Sequence, residues 1–255
     1  MKTLFVSLFS LLLIHQSFAQ KTEGTIHYKE TIQLDIDLDK LKDLPESIKS
    51  QIPTEQSSES VLTFHPTASL YTNVSKEEQE GVDYKSENEG FQIKIQVENS
   101  DRAYFYDISK RSSTESQEFF GKKFLIENAK PRKWKISKET KNILGYTCKK
   151  ATASDEDELV VAWFTSEIPV EVGPSSFYGL PGAILSVRTQ DGNHDIVAAK
   201  VAFEKIDRTV IVAPRKGKKV MAAQFKKIVE AKQKEMVEEY GGDGNMIIKT
   251  ERIER

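Results

Sequence analysis

Apolar and polar residues alternate with a period of two along most of the chain, in short runs separated by polar turns. In the first run, residues 22–37, Ile26 and Tyr28 alternate with polar neighbours, as in a strand with one buried face. Residues 75–90 are strongly charged, and we expect a solvent-exposed loop there; residues 111–117 should form a polar turn. The pattern predicts an antiparallel sheet whose further strands cover residues 60–64, 68–74, 91–97, 103–108, 119–126, 133–136, 144–151, 159–165, 183–187 and 196–203.

Two segments have helical spacing instead. Apolar residues between Leu38 and Ile52 predict a short N-terminal helix, and the stripe within residues 220–240 predicts a longer C-terminal helix that ends at Gly241-Gly242. Residues 245–253 should add an edge strand. The fold class is therefore α+β and dominated by β: a curved antiparallel sheet with both helices packed on it.

The predicted strands 159–165 and 196–203 are apolar on both faces. A strand of this kind is covered on both sides. We expect either the C-terminal helix to cover one face or an apolar cavity to lie against it. A ligand-sized cavity beside Trp163 would favour a carrier function, whereas tight packing there would favour a docking function.

The N-terminus predicts export. Lys2, the apolar run 4–14 and the small residues Ser17 and Ala19 form a signal-peptide pattern, with cleavage before Gln20. The run is too short to span a membrane comfortably, and no other segment is longer. We thus expect a signal peptide at residues 1–19 and one β-rich domain at residues 20–255, without a transmembrane segment. The periplasm is the first expectation for its location, and secretion is the alternative.

The composition of the chain argues against several classes of function. The chain has 37 basic and 39 acidic residues, a net charge of −2, and no basic face for a nucleic-acid partner is indicated. Cys148 is the only cysteine, so an intrachain disulfide is excluded, and we expect a buried, inert thiol. The sequence has neither a Gly-rich phosphate loop nor a Gly-x-Ser-x-Gly motif. We predict no catalytic residue and no cofactor, although a dispersed triad stays open.

Three histidines of the mature chain, His27, His65 and His194, lie on or beside separate predicted strands. None has a second ligand at a spacing such as His-x-x-x-His. We assign no metal site, and a metal-handling protein that uses these histidines or Cys148 is kept only as the last alternative.

Residues 173–185 contain the most distinctive motif. Gly173-Pro174 interrupts the preceding segment, and Phe177-Tyr178-Gly179-Leu180-Pro181-Gly182 follows. Pro181 and Gly182 suit the two central positions of a type II turn, which would direct the strand 183–187.

This motif resembles the signature of the GLPGLI family of exported Bacteroidota proteins, with Ala183 where the signature has Leu. Segments 124–126, 133–136, 143–152 and 162–165 resemble the family in order and spacing. The resemblance implies no catalytic residues. It marks signature positions that are possible binding residues: Trp134, Tyr146, Cys148, Trp163, Phe177, Tyr178, Gly179, Leu180, Pro181 and Gly182. A looser similarity to lipoprotein-carrier half-barrels implies a half-barrel-like sheet.

These observations lead to three hypotheses of function. The first is an exported, non-enzymatic binding or carrier protein of the cell envelope, for an apolar small molecule such as a lipid. The second is an envelope interaction module that docks on an outer-membrane protein, with Phe177 and Tyr178 as exposed anchors. The third is the metal-handling protein. We expect the chain to be a monomer.

Overall fold

The structure is a computed structural model that describes residues 22–33, 45–74, 79–85, 92–98, 101–127, 132–155, 158–240 and 246–251. The predicted signal peptide 1–19 and residues 38–44 of the predicted first helix lie outside this part. The helices are α1 (Glu46–Lys49) and α2 (Ala222–Tyr240). The strands are β1 (Gly24–Gln33), β2 (Glu55–His65), β3 (Ala68–Asn73), β4 (Gln79–Lys85), β5 (Gln92–Glu98), β6 (Arg102–Asp107), β7 (Ser112–Phe119), β8 (Lys122–Glu127), β9 (Lys135–Ile143), β10 (Tyr146–Asp155), β11 (Glu158–Thr165), β12 (Ala183–Thr189), β13 (His194–Phe203), β14 (Lys218–Met221) and β15 (Met246–Glu251).

Most of these strands belong to one sheet. Its 12 strands follow the order β14-β8-β7-β6-β3-β2-β1-β13-β12-β11-β10-β9, and only the β14–β8 pair is parallel. The sheet is curved. It is also open, because its two end strands, β14 and β9, are not paired with each other. A second sheet of three strands has the order β15-β5-β4. The predicted fold class is confirmed: a large antiparallel sheet with one short helix and one C-terminal helix.

The sheet has an inner face, which we define by the buried side chains of Ile26 and Tyr28. The main core lies on this face and is completed by residues 166–182, which connect β11 to β12 and bury Ile168, Val172 and Leu180. Backbone bonds tie this connection to the sheet: the Ile184 N–H donates to Val172 O at 2.9 Å. The connection therefore forms a second layer over one half of the sheet.

A separate small core lies at the β14 end. There, Phe225 and Val229 of α2 pack against Phe119, Phe124 and Ile126 of β7 and β8. The expectation that this helix covers the doubly apolar strands is wrong, because the apolar stripe of α2 is taken up by this phenylalanine cluster.

The strands that are apolar on both faces, β11 and β13, are fully covered on one face only. The inner residues Val160 and Phe164 are 1% and 2% exposed, but Leu159 and Val197 on the opposite face are 37% and 38% exposed. Trp163 lies on this outer face, beneath the Lys141 ammonium, which is 4.5 Å from the centre of the indole ring. The outer face is thus only partly covered, with Val161 and Trp163 half-buried, which departs from the expectation of two covered faces.

Two segments predicted as loop or turn are strands. Residues 112–119 form β7, which pairs with β6 on one side and β8 on the other. The residues on one face of β7 include Ser113, Glu115 and Gln117, which are polar. The pattern of apolar residues therefore did not indicate a strand there. Residues 79–85, within the predicted charged loop, form β4, where Val82 and Tyr84 are in register with β5.

None of the helices within the described residues is long and apolar enough to cross a membrane.

Candidate functional site

The segment with the distinctive motif, residues 173–182, is held in one conformation by its own backbone. Ser175 has a positive φ of 52°, which a residue with a side chain rarely adopts, and Gly179 has a φ of 89°. The Gly182 N–H donates to Leu180 O at 2.7 Å, whereas the Ala183 N–H donates to Ile168 O. The turn at Pro181 is therefore a three-residue turn. The predicted type II turn is wrong, because the core carbonyl of Ile168 takes the donor that would close it.

Arg132 and Trp134 clamp this segment from the side that leads into β9. The Arg132 Nη1 donates to Ser176 O at 3.0 Å and to Ser176 Oγ at 3.1 Å. Its guanidinium lies 4.3 Å from the centre of the Phe177 ring, within cation–π range. The indole Nε1 of Trp134 donates to Tyr178 O at 2.9 Å. Trp134 thus has a positioning role that its place in the sequence motif did not reveal.

Tyr178 joins the segment to the opposite half of the sheet. Its ring stacks on Tyr106 of β6 with a centroid distance of 4.0 Å, and its hydroxyl donates to Ser113 Oγ of β7 at 3.0 Å. Burial, together with the nearby Glu171 carboxylate, raises the pKa of the Tyr106 hydroxyl. Tyr178 and Phe177 are 5% and 4% exposed. The expectation that they are exposed anchors is wrong, because both rings are used to fix the segment.

On the other side of Phe177 lies a buried carboxylate. Glu30 of β1 is 1% exposed, and its Oε1 lies 2.6 Å from His194 Nε2 of β13. The Tyr71 hydroxyl donates to Glu30 Oε2 at 3.1 Å. The His194 ring centre is 6.5 Å from that of Phe177. A buried carboxylate that receives these two partners is held rigidly, because neither oxygen is left in the apolar core without a hydrogen bond.

Between residues 173–178 and strands β3, β6 and β7 lies a pocket, which we name the tyrosine pocket. Its lining residues are the aromatic Tyr104, Phe105, Tyr106 and Tyr178, the polar Ser69, Ser113, Thr114, Glu115, Ser175 and Ser176, and Gly173. Its free volume, counting the open solvent at its mouth, is about 360 Å³. The enclosed part has room for about one water molecule, so a ligand would occupy the mouth.

The structure brings together some of the predicted site residues and separates others. Trp134 and residues 177–182 meet at the segment described above. Tyr146 and Trp163 pack at the margin of the main core, and Cys148 is fully buried in it, where burial raises the pKa of its thiol to about 11. The expectation of a buried thiol is confirmed. The tyrosine pocket is not lined by Trp163, and the ligand-sized cavity considered beside Trp163 stays an expectation.

Sequence reasoning missed Glu30, Tyr71 and Tyr106, because they lie on separate strands and have no shared motif. Of the three histidines, His194 pairs with Glu30, and His65 Nδ1 lies 3.2 Å from the Thr67 backbone N–H. Burial lowers the pKa of His65, which favours its neutral ring. Among the described residues, no three His, Cys, Asp or Glu side chains are grouped so that they could hold a metal ion.

Residues 50–228 match the protein-family model described as "N-glycanase peptide, N-terminal domain". Two solved structures of PNGF-II are similar in fold. The one in the C2 space group has a TM-score of 0.52 and 14% identity, and the one in P21 has 0.50 and 15%. Each match covers 82% of this chain and 33% of that chain, so the chain spans about a third of their length. At this identity the likeness concerns the fold alone. No curated protein matches the sequence.

Proposed function

Because the chain belongs to the family described as "N-glycanase peptide, N-terminal domain", we propose that it is an exported, non-enzymatic binding protein whose tyrosine pocket takes a carbohydrate. The observation that carries the proposal is the composition of this pocket. Aromatic residues, hydroxyl-bearing residues and Glu115 line it. The faces of Tyr106 and Tyr178 are stacked on each other, so a sugar at the mouth would contact ring edges with its C–H groups and would hydrogen-bond to polar side chains with its hydroxyls.

The rigidity of the pocket supports a binding role. One wall is the segment 173–178, which Arg132, Trp134 and the Tyr106 ring hold in place. A wall that is fixed before the ligand arrives loses little conformational entropy on binding. The family description supports the choice of ligand, since the enzyme that it names acts on N-glycans.

The non-enzymatic part of the proposal rests on the sequence, in which we recognise no catalytic motif. The Glu30–His194 pair does not line the pocket. General acid–base catalysis needs a group within hydrogen-bond reach of the reacting atoms, and Glu115 is the carboxylate of the pocket that a test of activity would address.

Isothermal titration calorimetry with chitobiose and with a free high-mannose N-glycan tests the proposal. We expect both to bind and Glu115→Gln to weaken binding about tenfold, because a hydrogen bond to a charged group contributes about 1.5 kcal/mol or more. Glu118→Gln is the matched control, since Glu118 is exposed on the opposite face of β7. Absence of binding by both sugars, or equal effects of the two variants, would refute the assignment.

The carrier of an apolar ligand, which is the first hypothesis from the sequence, is the second candidate. Native mass spectrometry of the protein taken from its own cell envelope tests it. A carrier should retain a lipid and take up a fluorescent fatty acid. Protein that is free of lipid and takes up no fatty acid would dispose of this candidate.

Export is proposed from residues 1–19 of the sequence. Mass spectrometry of the protein recovered from the periplasmic fraction should find a mature N-terminus at Gln20. A chain that retains Met1 in the cytoplasmic fraction would contradict export.

The family model that matches residues 50–228 does not test membership of the GLPGLI family. That membership stays a prediction from the sequence.

A further inference from the structure

The segment that leads from β13 through β14 into α2 is strongly basic. Residues 208–229 carry seven basic side chains and no acidic one, although the whole chain has a net charge of −2. Four of the seven basic residues lie within five positions, and all four are exposed: Arg215, Lys216, Lys218 and Lys219. A weakly acidic chain therefore concentrates positive charge at one end of its large sheet.

The neighbouring strand β8 adds two more cations. It begins with Lys122 and Lys123, which are both exposed. Strand β14 pairs with β8 in parallel, and a Cβ atom on Gly217, just before β14, would lie 3.0 Å from Lys123 O. The two basic runs thus lie side by side. We name Lys122, Lys123, Arg215, Lys216, Lys218 and Lys219 the basic cluster.

Carboxylates neutralise only part of the basic cluster. The Lys219 Nζ donates to Glu127 Oε1 at 2.9 Å, and Glu118 lies opposite Lys123 in the register of β7 and β8. Within the described residues, the other four cations of the cluster form no ion pair. Like charges on neighbouring strands repel each other. An anionic partner would relieve this repulsion.

Exposed apolar side chains flank the basic cluster along the chain. Val210 and Val212 are 55% and 48% exposed, whereas Ile211 between them is buried, so both valines point away from the core. Val212 lies within about 11 Å of Arg215, because each residue of an extended chain spans at most about 3.6 Å. Met221 is 45% exposed and lies on the same face of β14 as the last lysine of the cluster. Apolar and positive side chains are therefore neighbours on this surface.

We propose that this surface docks on a lipid membrane with anionic headgroups. Its cations would contact the lipid phosphates, and Val210, Val212 and Met221 would enter the boundary between headgroups and acyl chains. Binding to a bilayer surface combines these two contributions, the burial of apolar area and the attraction to anionic lipids.

Charge and apolar exposure together select this partner. A second copy of the chain would bring two positive surfaces together. A soluble polyanion would engage the cations but would offer the valines no apolar environment. None of the residues of this surface lines the tyrosine pocket, so the proposal is independent of the ligand bound there.

Co-sedimentation of the full chain with phosphatidylcholine vesicles, with and without about 30% phosphatidylglycerol, tests the proposal. We expect binding only to the anionic vesicles, and at least a tenfold loss when the salt concentration rises from about 50 to about 500 mM. Lys216→Glu/Lys218→Glu should weaken binding at least tenfold. The matched control Lys138→Glu/Lys149→Glu changes the net charge equally at exposed positions of β9 and β10, at the other end of the sheet.

This control should weaken binding less than about threefold, since charges beyond a Debye length are screened. Absence of binding, equal binding to both kinds of vesicle, or an equal loss in the two lysine variants would overturn the proposal.

The contribution of the apolar side chains is tested without a change of charge. Val210→Ser/Val212→Ser should weaken vesicle binding at least fivefold, because apolar area is no longer removed from water. Val74→Ser/Ile136→Ser, at two exposed positions outside this surface, is the matched control and should bind like the wild type. Binding to dextran sulfate should be unchanged in the valine variant. Undiminished vesicle binding by that variant, or an equal loss with dextran sulfate, would overturn the assignment of a lipid surface.

Discussion

At the scale of single residues, Gly182 is fixed by close backbone contact. A Cβ atom on Gly182 would lie 2.1 Å from Thr165 O, whereas a Cβ on Gly179 would meet nothing within 4 Å. Both have a positive φ, of 148° and 89°. The motif therefore uses its two glycines for different reasons: one permits a close approach of β11, and the other only a backbone conformation.

This difference predicts unequal effects of substitution. Gly182→Ala should lower the free energy of unfolding by about 3 kcal/mol or more, because both the clash and the positive φ act on it. Gly179→Ala, the matched control, should cost about 1–2 kcal/mol from the positive φ alone. Denaturant unfolding measures both. Equal losses would mean that the contact with Thr165 does not constrain the segment.

Cys148 should be chemically inert in the folded protein. With a pKa of about 11, about one thiol in a thousand is ionised at pH 8, against about a quarter for an ordinary cysteine. The rate of reaction with Ellman's reagent should thus be more than about a hundredfold slower than in 6 M guanidinium. A folded rate close to the unfolded one would contradict the burial of this thiol.

At the scale of elements, the turn between β12 and β13 depends on one carboxylate. Asp191 accepts hydrogen bonds from Thr189 Oγ1 at 2.6 Å and from the Asn193 N–H at 3.0 Å. The bond from Thr189, with those from Asn193, lowers the pKa of Asp191 below its usual 3.8. The charged form is therefore the one that stabilises the turn.

The sign of the pH dependence follows from this lowered pKa. The contribution of Asp191 is complete above its unfolded pKa of about 4 and is lost as the pH falls through the folded pKa. The difference in unfolding free energy between the wild type and Asp191→Ala should thus shrink between pH 5 and 2. Exposed Glu204→Ala is the control. A difference that grows on acidification would contradict the role of the carboxylate.

The helix α2 should depend on its phenylalanine cluster. Phe225 is 6% exposed and makes edge-to-face contacts with Phe119 and Phe124 at centroid distances of 5.9 and 5.2 Å. Phe225→Ala should cost about 3 kcal/mol or more in this small core. Because the main core is separate, hydrogen exchange should increase in α2 and β14 while β1 and β13 stay protected. Exposed Glu230→Ala should leave both unchanged; uniform loss of protection in Phe225→Ala would contradict the separation.

At the scale of the whole molecule, the sheet could be predicted where its alternating residues are apolar, as in β1, β11 and β13. It could not be predicted at β7, whose inner positions include Ser113 and Glu115. The apolar stripe of residues 220–240 predicted the helix α2. It could not predict the surface that α2 covers, because the stripe does not indicate which strands lie beside the helix.

The candidate site shows the same limit. Its signature segment was visible in the sequence, since Gly and Pro define turns. The groups that fix the segment were not visible: Glu30 and His194 are separated by 164 positions, and Tyr106 and Ser113 lie on strands that no motif connects to Tyr178. Pairing of strands that are distant in the sequence, rather than local spacing, creates the tyrosine pocket.

The central claim, that the tyrosine pocket is the binding site, is tested most directly by NMR of protein with ¹³C-labelled tyrosine rings during titration with chitobiose. The account predicts that the ring signals of Tyr104, Tyr106 and Tyr178 shift on saturation, while that of Tyr28, which is 1% exposed and lies outside the lining of the pocket, stays in place. Shifts confined to other tyrosines, or no shifts at saturating sugar, would contradict it.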